Sequence, residues 1–139
     1  MSKIWNMLSL HATYEHEFYF TQEHVIRFAE ASGDHNPLHL DENYAATTLF
    51  KRPIVHGFLG GSVFSKVFGT IWPGEGTIYL KQSLHFLRPM YVQETYTAMF
   101  TVLELDSTKN RALIKTEIIN TATKPLLTGE ALIQHYSII

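Results

Sequence analysis

The chain contains no cysteine. Disulfides, thiolate metal sites and a cysteine nucleophile are thereby excluded, and the absence fits a reducing compartment. A large excess of charge of one sign is also missing, since 11 Lys and Arg stand against 13 Asp and Glu for a net charge of -2. The long-range field of a nucleic-acid binder is lacking, so nucleic acid is not an expected partner. No stretch approaches the ~20 apolar residues that cross a bilayer, and Met1 to Tyr14 holds no hydrophobic run ending in a small-residue cleavage site. A soluble, cytoplasmic protein without membrane attachment is therefore expected. What the chain does have is core material. Its 139 residues are 45% hydrophobic and 13% aromatic, enough to fill one domain spanning residues 1–139.

Thr21 stands where a helix cap belongs, Val25, Ile26, Phe28 and Ala29 follow at helical spacing, and Gly33 ends the run. Residues 21–32 therefore read as an amphipathic helix with Asp34 just past its end. Pro37 disfavours a helical Asn36 but suits a first turn. A second short helix is expected to start there, with His39 in its first turn and Asp41, Tyr44, Ala45 and Ala46 further along. Residues 57–70 are apolar nearly all round, the pattern of a helix buried on every side. Glycines inside it cost ~1 kcal/mol each relative to alanine, which suggests close approach of another backbone or a ligand.

After Pro73-Gly74-Glu75-Gly76 the period changes to two. Ile78, Leu80, Leu84 and Phe86 share one face, followed by Tyr96, Ala98, Phe100 and Val102, then Ala112, Ile114 and Ile118, then Leu127, Ala131 and Ile133. Segments 106–110 and 121–125 read as hairpin connections, and residues 13–20 add a fifth strand. Such a sheet must cover its apolar face. The only fully apolar helix is 57–70, so the sheet is expected to wrap around it.

Two segments carry chemistry. In Ser32-Gly33-Asp34-His35-Asn36-Pro37-Leu38-His39, a carboxylate and an imidazole lie across a turn and can converge on one water or one substrate carbon. Capping of the helix started by Pro37 is the plainer use of Asp34, and packing the plainer use of His39. In Pro53-Ile54-Val55-His56-Gly57, the unpaired N–H groups at a helix start favour developing negative charge. Gly57 also suits a simple turn into that helix. Asn36 and Ser65 either position a ligand or bond the local backbone. The eight histidines raise a metal alternative built on Asp34, His35 and His39 with His56 or His85, but no helical His-x-x-x-His pair appears and the spacing matches no common site.

The run Ser32-Gly33-Asp34-x-Asn36-Pro37-Leu38-His39-x-Asp41, followed by Arg52-Pro53-Ile54-Val55-His56-Gly57-Phe58-Leu59, closely resembles the signature of the MaoC-like enoyl-CoA hydratases. These form the (R)-specific hydratase 2 group within the hot-dog fold. The resemblance covers nearly the whole chain and implies an α+β fold, an antiparallel sheet of about five strands around a long central helix. It implies that Asp34 and His39 form the catalytic dyad and that the Gly57 N–H receives the thioester carbonyl. Asn36, Ser65 and His56 stand in support, with Ser65 matching the family's serine on the central helix. One departure is Glu42, where many members carry proline.

The implied reaction is reversible addition of water to a trans-2-enoyl thioester, giving the (R)-3-hydroxyacyl thioester. Coenzyme A or an acyl-carrier-protein arm serves as the substrate's handle. No metal or redox cofactor is implied, and a homodimer or higher even oligomer is. Two rivals remain. A hot-dog thioesterase would rely on a carboxylate from the central helix, but residues 57–70 hold no Asp or Glu. A catalytically silent acyl-thioester-binding subunit would not need the intact Asp34 and His39.

Overall fold

Alternation of apolar residues decides the architecture. The computed structural model describes residues 3–138. Its elements are α1 (Lys3–Met7), β1 (Thr13–Phe18), α2 (Gln22–Ser32), α3 (Pro37–Leu40), α4 (Glu42–Ala46), α5 (Gly57–Thr70), β2 (Thr77–Gln82), β3 (His85–Phe86), β4 (Tyr96–Asp106), β5 (Arg111–Ile119) and β6 (Pro125–His135). The sheet is antiparallel, in the order β1-β4-β5-β6-β2, with β3 also on β6. Asp106 and Asn120 accept the turn N–H groups of the two hairpins that join β4, β5 and β6.

Pairing sets Ala98 opposite Ile118, Val102 opposite Ile114 and Ala112 opposite Ile133, so one face becomes a continuous apolar surface. All of these are buried, and α5 lies against them through Leu59, Val63, Phe64, Val67 and Phe68. Phe64 and Phe68 meet Phe100 edge-on at 5.8 and 5.2 Å between centroids. Truncating any of these rings to alanine removes about 3–5 kcal/mol. The architecture is the hot-dog arrangement expected, with six strands in place of about five.

Three local expectations are corrected. The central helix is not buried on every side: Phe58, Ser62, Ser65, Lys66 and Gly69 are exposed, because one sheet covers only one flank of a helix. The run 78–86 is not one strand. It breaks into β2 and β3; in β2 the inward residue is Tyr79, opposite Ile133 and against Phe68, so Leu80 is exposed, while Phe86 in β3 stays on the helix side opposite Leu127 with part of its ring open. Glycine at 129 permits the break, since a Cβ there would collide with the Ser83 carbonyl. The helix expected from Pro37 is two helices. Asp41 leaves helical geometry at φ -115 and ψ 109, and its carboxylate accepts from Asn43 and Tyr44 N–H, which stops α3 and starts α4 at Glu42.

Candidate active site

The segment holding Asp34 is set by the end of α2. Thr21 caps that helix at its start, in a reciprocal box with His24. At its end Gly33 takes φ 81, a left-handed conformation that favours glycine, and its N–H donates to the Ala29 carbonyl at 2.9 Å. The chain then turns tightly. The Asp34 N–H donates to Ser32 Oγ, and Asp34 Oδ1 accepts from the Asn36 N–H at 3.2 Å. Asn36 Oδ1 accepts from the Leu38 N–H at 3.0 Å, so the cap of α3 is Asn36. The capping role open to Asp34 belongs to its neighbour. Among the described residues nothing bonds Asp34 Oδ2, and the residue is exposed.

His39 sits in α3 and is buried, 8% exposed. Gln22 donates to its main-chain carbonyl at 3.0 Å, and its Nδ1 lies 2.7 Å from the Ile54 carbonyl. A carbonyl only accepts, so Nδ1 carries the proton and Nε2 of the neutral ring keeps a lone pair. Ile54 is itself fixed, its N–H on the Leu38 carbonyl and the next N–H, of Val55, on Met90.

His56 completes the cluster. Its ring stacks on His39 at 3.9 Å between centroids and 28° between planes, and touches Phe28 at 4.8 Å. Its Nε2 donates to the Asp34 main-chain carbonyl at 3.0 Å. Burial pushes its pKa below the ordinary 6.5, with the His39 charge acting the same way and Asp34 acting against it. One ligating atom from each of Asp34, His39 and His56 lies within 4.8 Å of the others. Of the histidines considered as metal ligands, His35 turns back onto the Gly33 carbonyl and His85 lies exposed in β3; neither is in this trio.

His56 also ends the loop into α5. The first intrahelical bond there runs from the Gly60 N–H to the His56 carbonyl at 3.0 Å, so the N–H groups of Gly57, Phe58 and Leu59 precede the ladder. Of these three residues Gly57 lines a cleft of about 350 Å3, together with His56, Gly60, Phe86, Met90 and Leu127, among others. Asp34 and His39 are not among its lining residues; His39 adjoins the cleft through the His56 ring. A Cβ on Gly57 would come within 2.7 Å of the Phe86 ring.

Ser65 is not brought to the dyad. It lies on the open face of α5, in a separate hollow with Phe58, Leu80 and Leu84. The sequence reading missed three contacts: the Ile54 carbonyl that sets the His39 tautomer, Phe28 against His56, and Phe86 over Gly57. The His56 ring had a visible signal, its place directly before the helix-start glycine. The other contacts join segments far apart in the chain, and no local pattern announces them.

Comparison with known proteins agrees with this arrangement. Residues 9–124 match the family model described as MaoC like domain. An (R)-specific enoyl-CoA hydratase of Aeromonas caviae is 45% identical over 115 residues, covering 83% of this chain and 86% of that protein. One of Rhodospirillum rubrum is 40% identical over 80% of this chain and 76% of its own length. The solved (R)-hydratase of A. caviae, described as involved in PHA biosynthesis, superimposes with a TM-score of 0.88 at 41% identity, covering 92% of this chain and 97% of that one. A sheet packed against one flank of a central helix, an Asp-Asn-Pro-His turn against that helix's first residues and a match across most of the chain agree: the protein belongs to the MaoC-like domain family.

Proposed function

We propose that the protein is a hydro-lyase that adds water reversibly across the double bond of a trans-2-enoyl thioester to give the (R)-3-hydroxyacyl thioester. The observation that carries the chemistry is the convergence of the Asp34 carboxylate and the His39 ring within 4.8 Å, a gap that one water fills. The Asp34 carboxyl oxygen and His39 Nε2 can both accept, so together they hold a water by its two O–H groups and turn its lone pair outward. The pair removes one proton as the oxygen bonds to the β-carbon and returns one to the α-carbon. The enzyme ends as it began.

Charge that develops on the thioester oxygen falls to the free N–H groups at the start of α5, with Gly57 first among them. Phe86, Met90 and Leu127 supply an apolar wall for the acyl chain. Asn36 serves by capping α3 and so holding His39 in place. Ser65 acts outside the water-holding pair. Coenzyme A or an acyl carrier protein carries the acyl group.

No redox cofactor is required, because neither bond change passes electrons to a carrier, and the dyad supplies both proton transfers without a metal. The stacked rings support this. Imidazoles face to face send their in-plane lone pairs side by side rather than to one point ~2.0–2.1 Å away, as a bound zinc would need. Two copies pair through exposed apolar surface around β2, and the enzyme works in the cytoplasm.

Purified protein mixed with crotonyl-CoA tests the assignment. Loss of the enoyl absorbance without free thiol is the expected result. Thiol release would mark a thioesterase, and no change in either signal would mark a binding subunit.

A further inference from the structure

The proposed chemistry leaves one buried polar atom unemployed. His56 is 2% exposed, yet its Nδ1 has no hydrogen-bond partner among the described residues. The ring's other contacts go to the two water-holding residues or to Phe28. We propose that His56 is a positioning residue for the dyad, an imidazole that fixes the main chain of Asp34 and the ring of His39 relative to each other. The proposal rests on the hydratase reading.

Asp34 and His39 hang on different segments, one on the turn after Gly33 and the other on α3. Their separation is therefore not set by either element alone. His56 spans them, with Nε2–H on the Asp34 carbonyl and its ring face on His39. Misplacing a reacting group by about 1 Å costs up to ~10²-fold in rate, so a side chain that sets this gap controls turnover through the dyad.

Neutrality follows from the same geometry. The ionisable groups facing the ring are Asp34 and His39, and Phe28 of α2 is the remaining ring neighbour. A proton on Nδ1 would be a buried donor without an acceptor, and it would put two imidazolium rings 3.9 Å apart whenever His39 takes up charge. Burial lowers the His56 pKa in agreement. His39 is thus left as the ring that accepts a proton during turnover.

Two variants separate the ring from its donor. His56→Phe keeps an aromatic face against His39 and loses the bond to Asp34; His56→Gln keeps an amide donor and loses the stack. In crotonyl-CoA hydration each is expected to lower kcat by about tenfold or more, with KM moving less than about threefold. Melting curves report how much of each variant is folded. A nitrogen-15 histidine titration gives a readout that a merely structural role would not move. The wild-type His56 signal is expected to keep the neutral Nε2–H pattern below pH 6.5. Wild-type activity alongside unimpaired variants, or a His56 that protonates at or above 6.5, would overturn the positioning role alone. A wild type that leaves the enoyl absorbance unchanged while His56 keeps its neutral pattern would overturn the hydratase reading, and the positioning role with it.

Discussion

The Gly57 N–H is separable from the rest of its residue. With His56 as N-cap, Gly57 is the first helical position, where proline is accepted, and His56 at φ -55 and ψ 136 already has the extended geometry a following proline requires. The obstacle is Phe86, whose ring would meet any added Cβ. Comparing Gly57→Pro with Gly57→Ala, both in a Phe86→Ala background, therefore isolates the amide proton. The proline variant is expected to fall about 10²–10³-fold below the alanine variant in kcat, with matching circular dichroism. Equal rates would remove that N–H from the mechanism.

The dyad calls for similarly matched changes. Asp34→Asn keeps the oxygen that accepts from the Asn36 N–H, so melting should hold while hydration drops by about 10²–10⁴-fold. His39→Ala is a poorer probe, because His39 is buried and not merely in a turn, and its loss strips the Ile54 carbonyl of a donor at ~1–3 kcal/mol. Sequence exposed this pair because five positions around a proline bring them together locally. It could not expose Ile54 or Phe28, whose contacts exist only after α2 and the 52–57 segment have docked.

Among elements, the short helices decide where His39 points. Asn36 resembles a group that orients the dyad or its water, but its side-chain oxygen is spent on the Leu38 N–H. Aspartate caps as well as asparagine, so Asn36→Asp should retain most activity and stability. Asn36→Ala should lose about 1 kcal/mol in a denaturant titration and lower kcat as His39 drifts. If the aspartate variant fails as badly as the alanine one, Asn36 acts through its amide instead. The strands show the same division between local and distant causes. Periodicity placed Ala98, Phe100, Ile114 and Ile133 inward correctly, since each pleat position follows from the last. It failed at Leu80, where a register shift between Tyr79 and Lys81 against the neighbouring strand interrupts the alternation, whereas Phe86 keeps the inner side, opposite Leu127 and over Gly57.

For the molecule as a whole, acid is the predicted weakness. Burial is the leading cause that lowers the pKa of His16, His56 and His135 below 6.5 in the fold. The unfolded chain then binds more protons than the native one as pH falls, so stability is full above 6.5 and declines beneath it. Asp106, held low first by Thr108, adds its own loss only beneath 3.8. The melting temperature should drop between pH 7.5 and 5.5, and the drop should shrink when His135 is replaced by glutamine. A flat profile over that window would show that these rings titrate alike in both states.

The two edges of the sheet are unequal, and this bears on the pairing of copies proposed above. Edge strand β1 turns Glu15 and Glu17 to solvent, charges that discourage another strand from adding. Strand β2 at the other edge exposes Tyr79 and Leu80, and beside it lie Phe58, 69% exposed, and Phe86, 52% exposed. The same flank carries the open face of α5, which the sequence expected to be buried. That expectation is met if a second copy, rather than this chain's own sheet, covers the face. Antiparallel pairing of β2 with its counterpart would satisfy both edges and close the hollow that holds Ser65. Sedimentation should therefore give twice the 16.0 kDa of one chain. Leu80→Lys places a charge on the proposed pairing edge and should yield a folded monomer with reduced crotonyl-CoA hydration, because the helix start proposed to hold the thioester adjoins this surface. A wild type that sediments as one chain, fully active, would mean that the exposed face of α5 is not an interface between copies.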